Sequence, residues 1–281
     1  MNIAIIGYLP PKTFGYPEAF LQNIKAFKTR FPLILFTDCD EWVDESPIRI
    51  QGNMEAVKGR AYPGPYSKPN KWAVNNLIFF TAVRIAMAHK ITHFLYLEID
   101  CRVRGDYWDE VVFGEYFEKP NAYVMGGSMV CYNPCNSGEE SHRRYSELVA
   151  RQTREGQPMI AVWGAGGAAH LGDTAIFVNG ALGIYDVEWI KKLFAPDPED
   201  KEAPSIENTV GLASAVFAWD FEMGLRMWKL FGVDVYDALA HLTTIFSAYE
   251  EIYTKEPFRI KLLKEGKVCA VHQVKSNDPV L

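Results

Sequence analysis

An apolar run that ends in acid limits this chain more than any other stretch. His93 to Val103 reads H-F-L-Y-L-E-I-D-C-R-V. Phe94, Leu95, Tyr96 and Leu97 lie between Lys90 and a polar, Gly-containing segment, which suits a short strand buried on both faces of a parallel sheet. Glu98 and Asp100 then stand two apart, so an extended chain sends both carboxylates to one side. Two unpaired acids are costly at the end of a buried strand. Ligands bind at the C-terminal ends of strands in open α/β sheets, and a divalent cation carrying phosphate would meet these acids there. The simpler alternative is that Glu98 and Asp100 only mark the strand's end and pair with Arg102 and Arg104.

The rest of the chain supplies the other parts of such a sheet. Ile3 to Ile6 predicts a first strand, the segment from Pro17 repeats Phe20, Ile24 and Phe27 at helical spacing, and Leu33 to Phe36 predicts a second strand. Strands joined in this way pair in parallel through a right-handed crossover. Asp38, at the end of the second, is placed either to read a ligand edge or to cap the next turn. Lys71 to His89 predicts a helix with Trp72, Asn76, Phe80, Val83 and Met87 on its buried stripe; Lys68 and Lys71 near its start are candidates for phosphate contact.

Downstream, Tyr107 to Phe117 predicts a helix and Ala122 to Met125 a strand. Ile176 to Asp186 predicts a strand that turns at Gly180 and Gly183 and enters a helix over Val187 to Phe194. Ser137 and Glu140 have capping-box spacing. The Gly/Ala-rich run Trp163 to Asp173 predicts a flap; no G-x-G-x-x-G follows a strand, so no dinucleotide site is read there. A final strand is expected over Lys267 to Val271, just before His272 and Lys275.

Charge and cysteine usage exclude some classes. A net charge of -6 and a pI near 5.6 argue against a general nucleic-acid binder and favour small-molecule or glycan substrates. The N-terminus reads as a strand and not as a signal peptide, and no window reaches the roughly 20 apolar residues that span a bilayer. A cytoplasmic protein is expected, with any membrane association peripheral. Cys39, Cys101, Cys131, Cys135 and Cys269 are an odd number in a chain large enough to fold without staples, which predicts reduced thiols. Cys131 and Cys135 lack the second pair that a structural zinc site needs.

Taken in order, these stretches resemble nucleotide-sugar-dependent glycosyltransferases of the GT-A fold. L-Y-L-E-I-D-C-R-V is similar to the strand that ends in D-x-D, with Glu98 in place of the first acid. N-G-A-L-G-I-Y-D resembles the Gly-rich turn before the acceptor-side helix. W-D-F-E-M-G-L-R-M-W is similar to the E-D-x-x-L-x-x-R helix start of inverting, family-2-like members. Asp220 then falls at the general base and Arg226 at the helical arginine, while Trp219 replaces the acid before the base. His272, followed by Lys275, resembles the C-terminal histidine that completes the metal site in several such families.

The resemblance implies an α/β fold: a single GT-A-like domain over residues 1–281 with a mixed, mostly parallel central sheet flanked by helices. Residues 1–105 would be the nucleotide-sugar-binding half, and 106–281 the acceptor-binding half with the metal-site tail. It implies Mn2+ or Mg2+ held by Asp100, His272 and Glu98, with Asp38, Lys71, Glu98, Asp100 and Lys275 around a nucleoside-diphosphate sugar such as a UDP-sugar. Asp220 would be the catalytic base toward a glycan or other hydroxyl acceptor. Three alternatives stay open: a retaining transferase, a sugar-phosphate nucleotidyltransferase, and a non-catalytic glycan- or nucleotide-sugar-binding homologue.

Overall fold

The computed structural model describes residues 1–50, 71–119, 125–132, 163–164, 167–168, 175–199, 205–207, 219, 223, 226, 242–246, 256–266, 268–272 and 274–277. The expected β-α-β start is present: β1 (Ile3–Tyr8), α1 (Pro17–Lys25) and β2 (Leu33–Thr37), with a short β3 (Ile48–Arg49) beside β2. Helix α2 (Lys71–Ala88) leads into β4 (His93–Leu97), and α3 (Trp108–Glu118) follows the short β5 (Arg102–Val103). Beyond them lie β6 (Met125–Tyr132), the two-residue β7 (Trp163–Gly164) and β8 (Gly167–Ala168), β9 (Ala175–Asp186) and α4 (Val187–Leu193). The chain closes with β10 (Ile245–Phe246), α5 (Glu256–Lys264) and β11 (Ala270–Val271).

The central sheet runs β3-β2-β1-β4-β9-β6. The four strands from the first part of the chain pair in parallel, while β9 is antiparallel to both β4 and β6. This is the mixed sheet flanked by helices that the sequence resemblance implies. The chain moves outward from β1 to β3 and then returns to place β4 on the other side of β1, so the strand order reverses between β1 and β4. In open α/β sheets that reversal opens a crevice beyond the carboxyl ends of the strands.

Residue alternation explains why the two central strands read as unbroken apolar runs. Ala4 and Ile6 of β1, with Phe94 and Tyr96 of β4, face a core built with Phe79, Phe80 and Val83 of α2. Ile5 of β1, with Leu95 and Leu97 of β4, faces the opposite core of Phe20 and Ile24 from α1 and Trp108, Val112 and Phe113 from α3. Both faces are covered, so the strands carry no polar face.

Several expectations need correction. Met87, predicted on the buried stripe of α2, is 39% exposed, because the buried set runs through Phe79, Ala82, Val83 and Ala86 and leaves Met87 on the flank. The strand with turns at Gly180 and Gly183 is instead one continuous twelve-residue β9; Gly183 pairs with both Tyr96 of β4 and Gly127 of β6, and Gly180 falls where the pairing with β6 shifts register between Gly127 and Met129. Of the strand predicted over Ala122 to Met125, only Met125 lies among the described residues, as the first residue of β6. The closing strand is two residues long, Ala270–Val271, not the five from Lys267. Cys135, the Ser137–Glu140 capping box and most of the Gly/Ala-rich run fall outside the described residues.

Candidate metal centre

Strand β4 ends at Leu97, and the chain turns at once: Cys101 N–H donates to the Glu98 carbonyl at 3.0 Å. Glu98 and Asp100 therefore sit on a tight turn and not on an extended strand, so their convergence comes from the turn and not from the pleat. Glu98 leaves the sheet one step beyond the last β1–β4 pair, Gly7 with Leu97, at the mouth of the crevice where the strand order reverses.

The third member arrives from the far end of the polypeptide. After β4 turns, β5 pairs antiparallel with β11, Val103 opposite Ala270 and Arg102 opposite Val271. That pairing sets the next residue, His272, beside the acidic turn, where its N–H also donates to the Phe246 carbonyl at 3.0 Å. Arg104 N–H donates to the Cys269 carbonyl and Val274 N–H to the Asp100 carbonyl, both at 2.8 Å. His272 Nε2 lies 3.2 Å from Asp100 Oδ1 and 3.6 Å from Glu98 Oε2.

Burial and charge act against one another here. The His272 side chain is 4% exposed, Asp100 17% and Glu98 36%. Burial by itself lowers the His272 imidazole, but the neighbouring Asp100 and then Glu98 outweigh it and push it up to about 9. Burial raises Asp100, yet His272 and then Lys275 hold it below its usual value. Without a metal, then, the imidazolium is the cation that answers two carboxylates.

The residues fit a divalent ion. One ligand atom from each of Glu98, Asp100 and His272 lies within 4.8 Å of the others. Donors about 2.1 Å from one octahedral ion stand roughly 3 Å apart at right angles, close to the 3.2 and 3.6 Å separations from His272 Nε2. Asp100 Oδ1 is buried, makes no well-aligned hydrogen bond among the described residues, and faces the His272 imidazole nitrogen at 3.2 Å. In the metal-free protein the His272 imidazolium supplies the positive charge at this oxygen, and a bound cation would take over that role as His272 gives up its proton. Two carboxylates and one imidazole suit manganese and magnesium better than a thiolate-loving metal.

The remaining predicted site residues fall in three groups. Asp38, at the end of β2, accepts a 2.6 Å hydrogen bond from the Tyr8 hydroxyl at the end of β1, so it sits at the same edge of the sheet as the metal cluster. Lys275 is exposed and acts electrostatically on Asp100. Lys71 begins α2, but its side chain lies outside the described residues, as does Asp220 altogether. The neighbours of Asp220 in the motif are structural where described. Trp219 stacks on Phe79 with ring centroids 3.6 Å apart in the core, and Arg226 donates to the Leu193 carbonyl at the end of α4.

Two buried arginines were missed as parts of the site. Arg102 does not serve as the acids' counter-charge in the way the simpler reading supposed. Its Nη1 donates to the carbonyls of Ile99 and Cys101 at 3.0 and 2.8 Å, and its Nη2 to that of Ser276 at 2.8 Å. Arg259 of α5 is fully buried, lies over the Phe246 ring and feels the charge of Asp100; burial pulls its guanidinium down to about 10. An arginine between Cys101 and Val103, in an otherwise apolar strand, was the one available signal for Arg102.

No family model matches the chain, and no curated protein does. Among solved structures, mouse xyloside xylosyltransferase 1 in its apo form is similar with a TM-score of 0.45 and 10% identity, covering 97% of each chain. Glucosyl-3-phosphoglycerate synthase from Mycobacterium tuberculosis, in complex with Mn2+ and UDP-glucose, gives a TM-score of 0.37 at 11% identity over 85% of this chain and 68% of that one. The same synthase with phosphoglyceric acid gives 0.35 at 10% identity over the same shares.

Proposed function

We propose that this chain is a metal-dependent glycosyltransferase that moves a sugar from a nucleoside-diphosphate sugar, a UDP-sugar first, to a glycan or other hydroxyl acceptor. The observation that carries the reading is the convergence of Glu98, Asp100 and His272 at the crevice between β1 and β4, with one ligand atom from each close enough to share an ion. That is where an open α/β sheet takes a nucleotide. A manganese or magnesium ion held there would act as a Lewis acid on the leaving diphosphate.

The chain's own groups have separable tasks. Asp100 and His272 supply metal-ligating oxygen and nitrogen, and Glu98, the most exposed of the three, completes the set or orients its waters. Lys275 adds positive charge toward the diphosphate, with Lys71 as a second source. Asp38, oriented by the Tyr8 hydroxyl, contacts the nucleoside. Asp220 takes the acceptor's proton on the face opposite the leaving group, which makes the reaction inverting. The 1–105 half thus holds the donor and the 106–281 half the acceptor, in the cytoplasm.

The test is manganese-dependent release of UDP from a panel of UDP-sugars. Wild-type release that chelation abolishes, and that Asp100→Asn and His272→Ala lose, supports the reading. Full activity in both variants overturns it. Asp220→Asn should stop transfer and leave UDP binding intact, and the anomeric configuration of the product, read by NMR, separates inversion from retention.

A further inference from the structure

Arg102 has two structural properties that its sequence position does not advertise. It is fully buried, and its guanidinium fork joins its own segment to a carbonyl 174 positions further along the chain. One arm holds the Ile99 and Cys101 carbonyls, which flank Asp100; the other holds the Ser276 carbonyl, one residue past Lys275. The Val274 N–H closes the same gap onto the Asp100 carbonyl. The metal-ligating acid and the tail that carries His272 are therefore tied by the β5–β11 pairing, by the direct Val274–Asp100 backbone bond and, across both segments at once, by the Arg102 side chain.

We infer that Arg102 is a positioning residue for the metal centre: its fork fixes the acidic turn and the His272 tail at the spacing one cation needs. The inference rests on the metal reading proposed above. A planar guanidinium presents its donors in a rigid fork, so it can hold carbonyls on both sides at fixed separation, whereas a lysine ammonium is a point charge on a flexible stem. Arg102 spends its terminal nitrogens on carbonyls, so geometry and not charge is what it lends to Asp100. Outer groups that orient metal ligands matter in this way even though they never touch the ion.

Arg102→Lys keeps the charge and removes the fork. The readout is manganese alone titrated into the full-length protein, followed by the electron paramagnetic resonance signal of the free ion. Melting temperature in chelator is measured beside it. Val112→Ala, in the α3 core, serves as a control that loosens the fold away from the site. The expected result is a manganese affinity about 10- to 100-fold weaker in R102K, with V112A binding as wild type does even if it melts as low. Arg102→Gln, uncharged and unable to span both segments, should weaken binding at least as much, and it carries the test if R102K does not fold. Wild-type affinity in a folded R102K or R102Q overturns the role of Arg102 while the metal centre stands. Wild-type protein that takes up no manganese overturns the metal centre, and this inference with it.

Discussion

Strand β4 carries a histidine–carboxylate contact near each of its ends, and the two contrast. At the N-terminal end, His93 Nε2 lies 3.5 Å from Asp186 Oδ2. That Asp186 is already committed, because its Oδ1 accepts from the Glu188 and Trp189 N–H groups as the N-cap of α4. Burial lowers the His93 imidazole, and the single carboxylate does not reverse the shift. At the C-terminal end, burial opposes His272 too, but two carboxylates, Asp100 and then Glu98, lift it to about 9, and Asp100 Oδ1 faces the ring nitrogen at 3.2 Å. The lesson is that a histidine beside an acid says little by itself. What matters is how many acids there are and whether their oxygens already have work.

The sharpest way to break this contrast is to damage each end in turn. Asp100→Asn or His272→Ala should cut manganese-dependent UDP release by more than roughly 100-fold, beyond the usual cost of losing an outer partner. Asp186→Ala should leave both release and manganese affinity unchanged. Steady-state kinetics with a chelator control checks both, and equal losses at the two ends would erase the distinction.

A second prediction concerns protons. His272 is raised to about 9, so near pH 7.5 it must shed its proton before it can ligate a metal, and binding should release about one proton per ion. Calorimetry in buffers of different ionisation heat measures that number. In His272→Ala the release should vanish, whereas His93→Ala should leave it intact.

The two histidines should also tilt stability in opposite directions. A group whose folded pKa is raised stabilises fully below its unfolded value, so the metal-free protein should lose the His272 contribution as pH climbs from 6.5 through about 9. His93 is lowered, so the folded state resists its protonation and the protein should lose stability as pH falls below 6.5. Melting curves across this range, wild type against each alanine variant, should show one slope removed at a time. The smallest effect is on folding alone: Asp186→Ala should cost about 1 kcal/mol through the lost helix cap, read by chemical denaturation.

Much of this was legible from local spacing. The apolar run into Glu98 and Asp100 and the β-α-β start rest on short patterns whose structural reading depends on burial, whereas His272 is named as their partner through the resemblance of the chain's motifs to GT-A glycosyltransferases. Part of what escaped depends on partners distant in the chain. Arg102 looked like a counter-charge for its neighbouring acids, yet its acceptors include a carbonyl 174 positions away. Gly180 and Gly183 looked like turns, yet Gly183 is paired on both sides within β9 and Gly180 lies in the register shift against β6, a local irregularity that does not end the strand. The two acids were expected to converge through the strand pleat, but the chain turns at Glu98 because the Cys101 N–H finds the Glu98 carbonyl.

The most direct test uses the ion as its own reporter. Substoichiometric Mn2+ added to protein with isotope-labelled histidine should broaden the His272 ring resonances far more than those of His93, since His272 sits at the C-terminal end of β4 and His93 begins that strand, which rises about 3.3 Å per residue. Broadening of neither ring, or of both alike, would contradict a metal centre built from Glu98, Asp100 and His272.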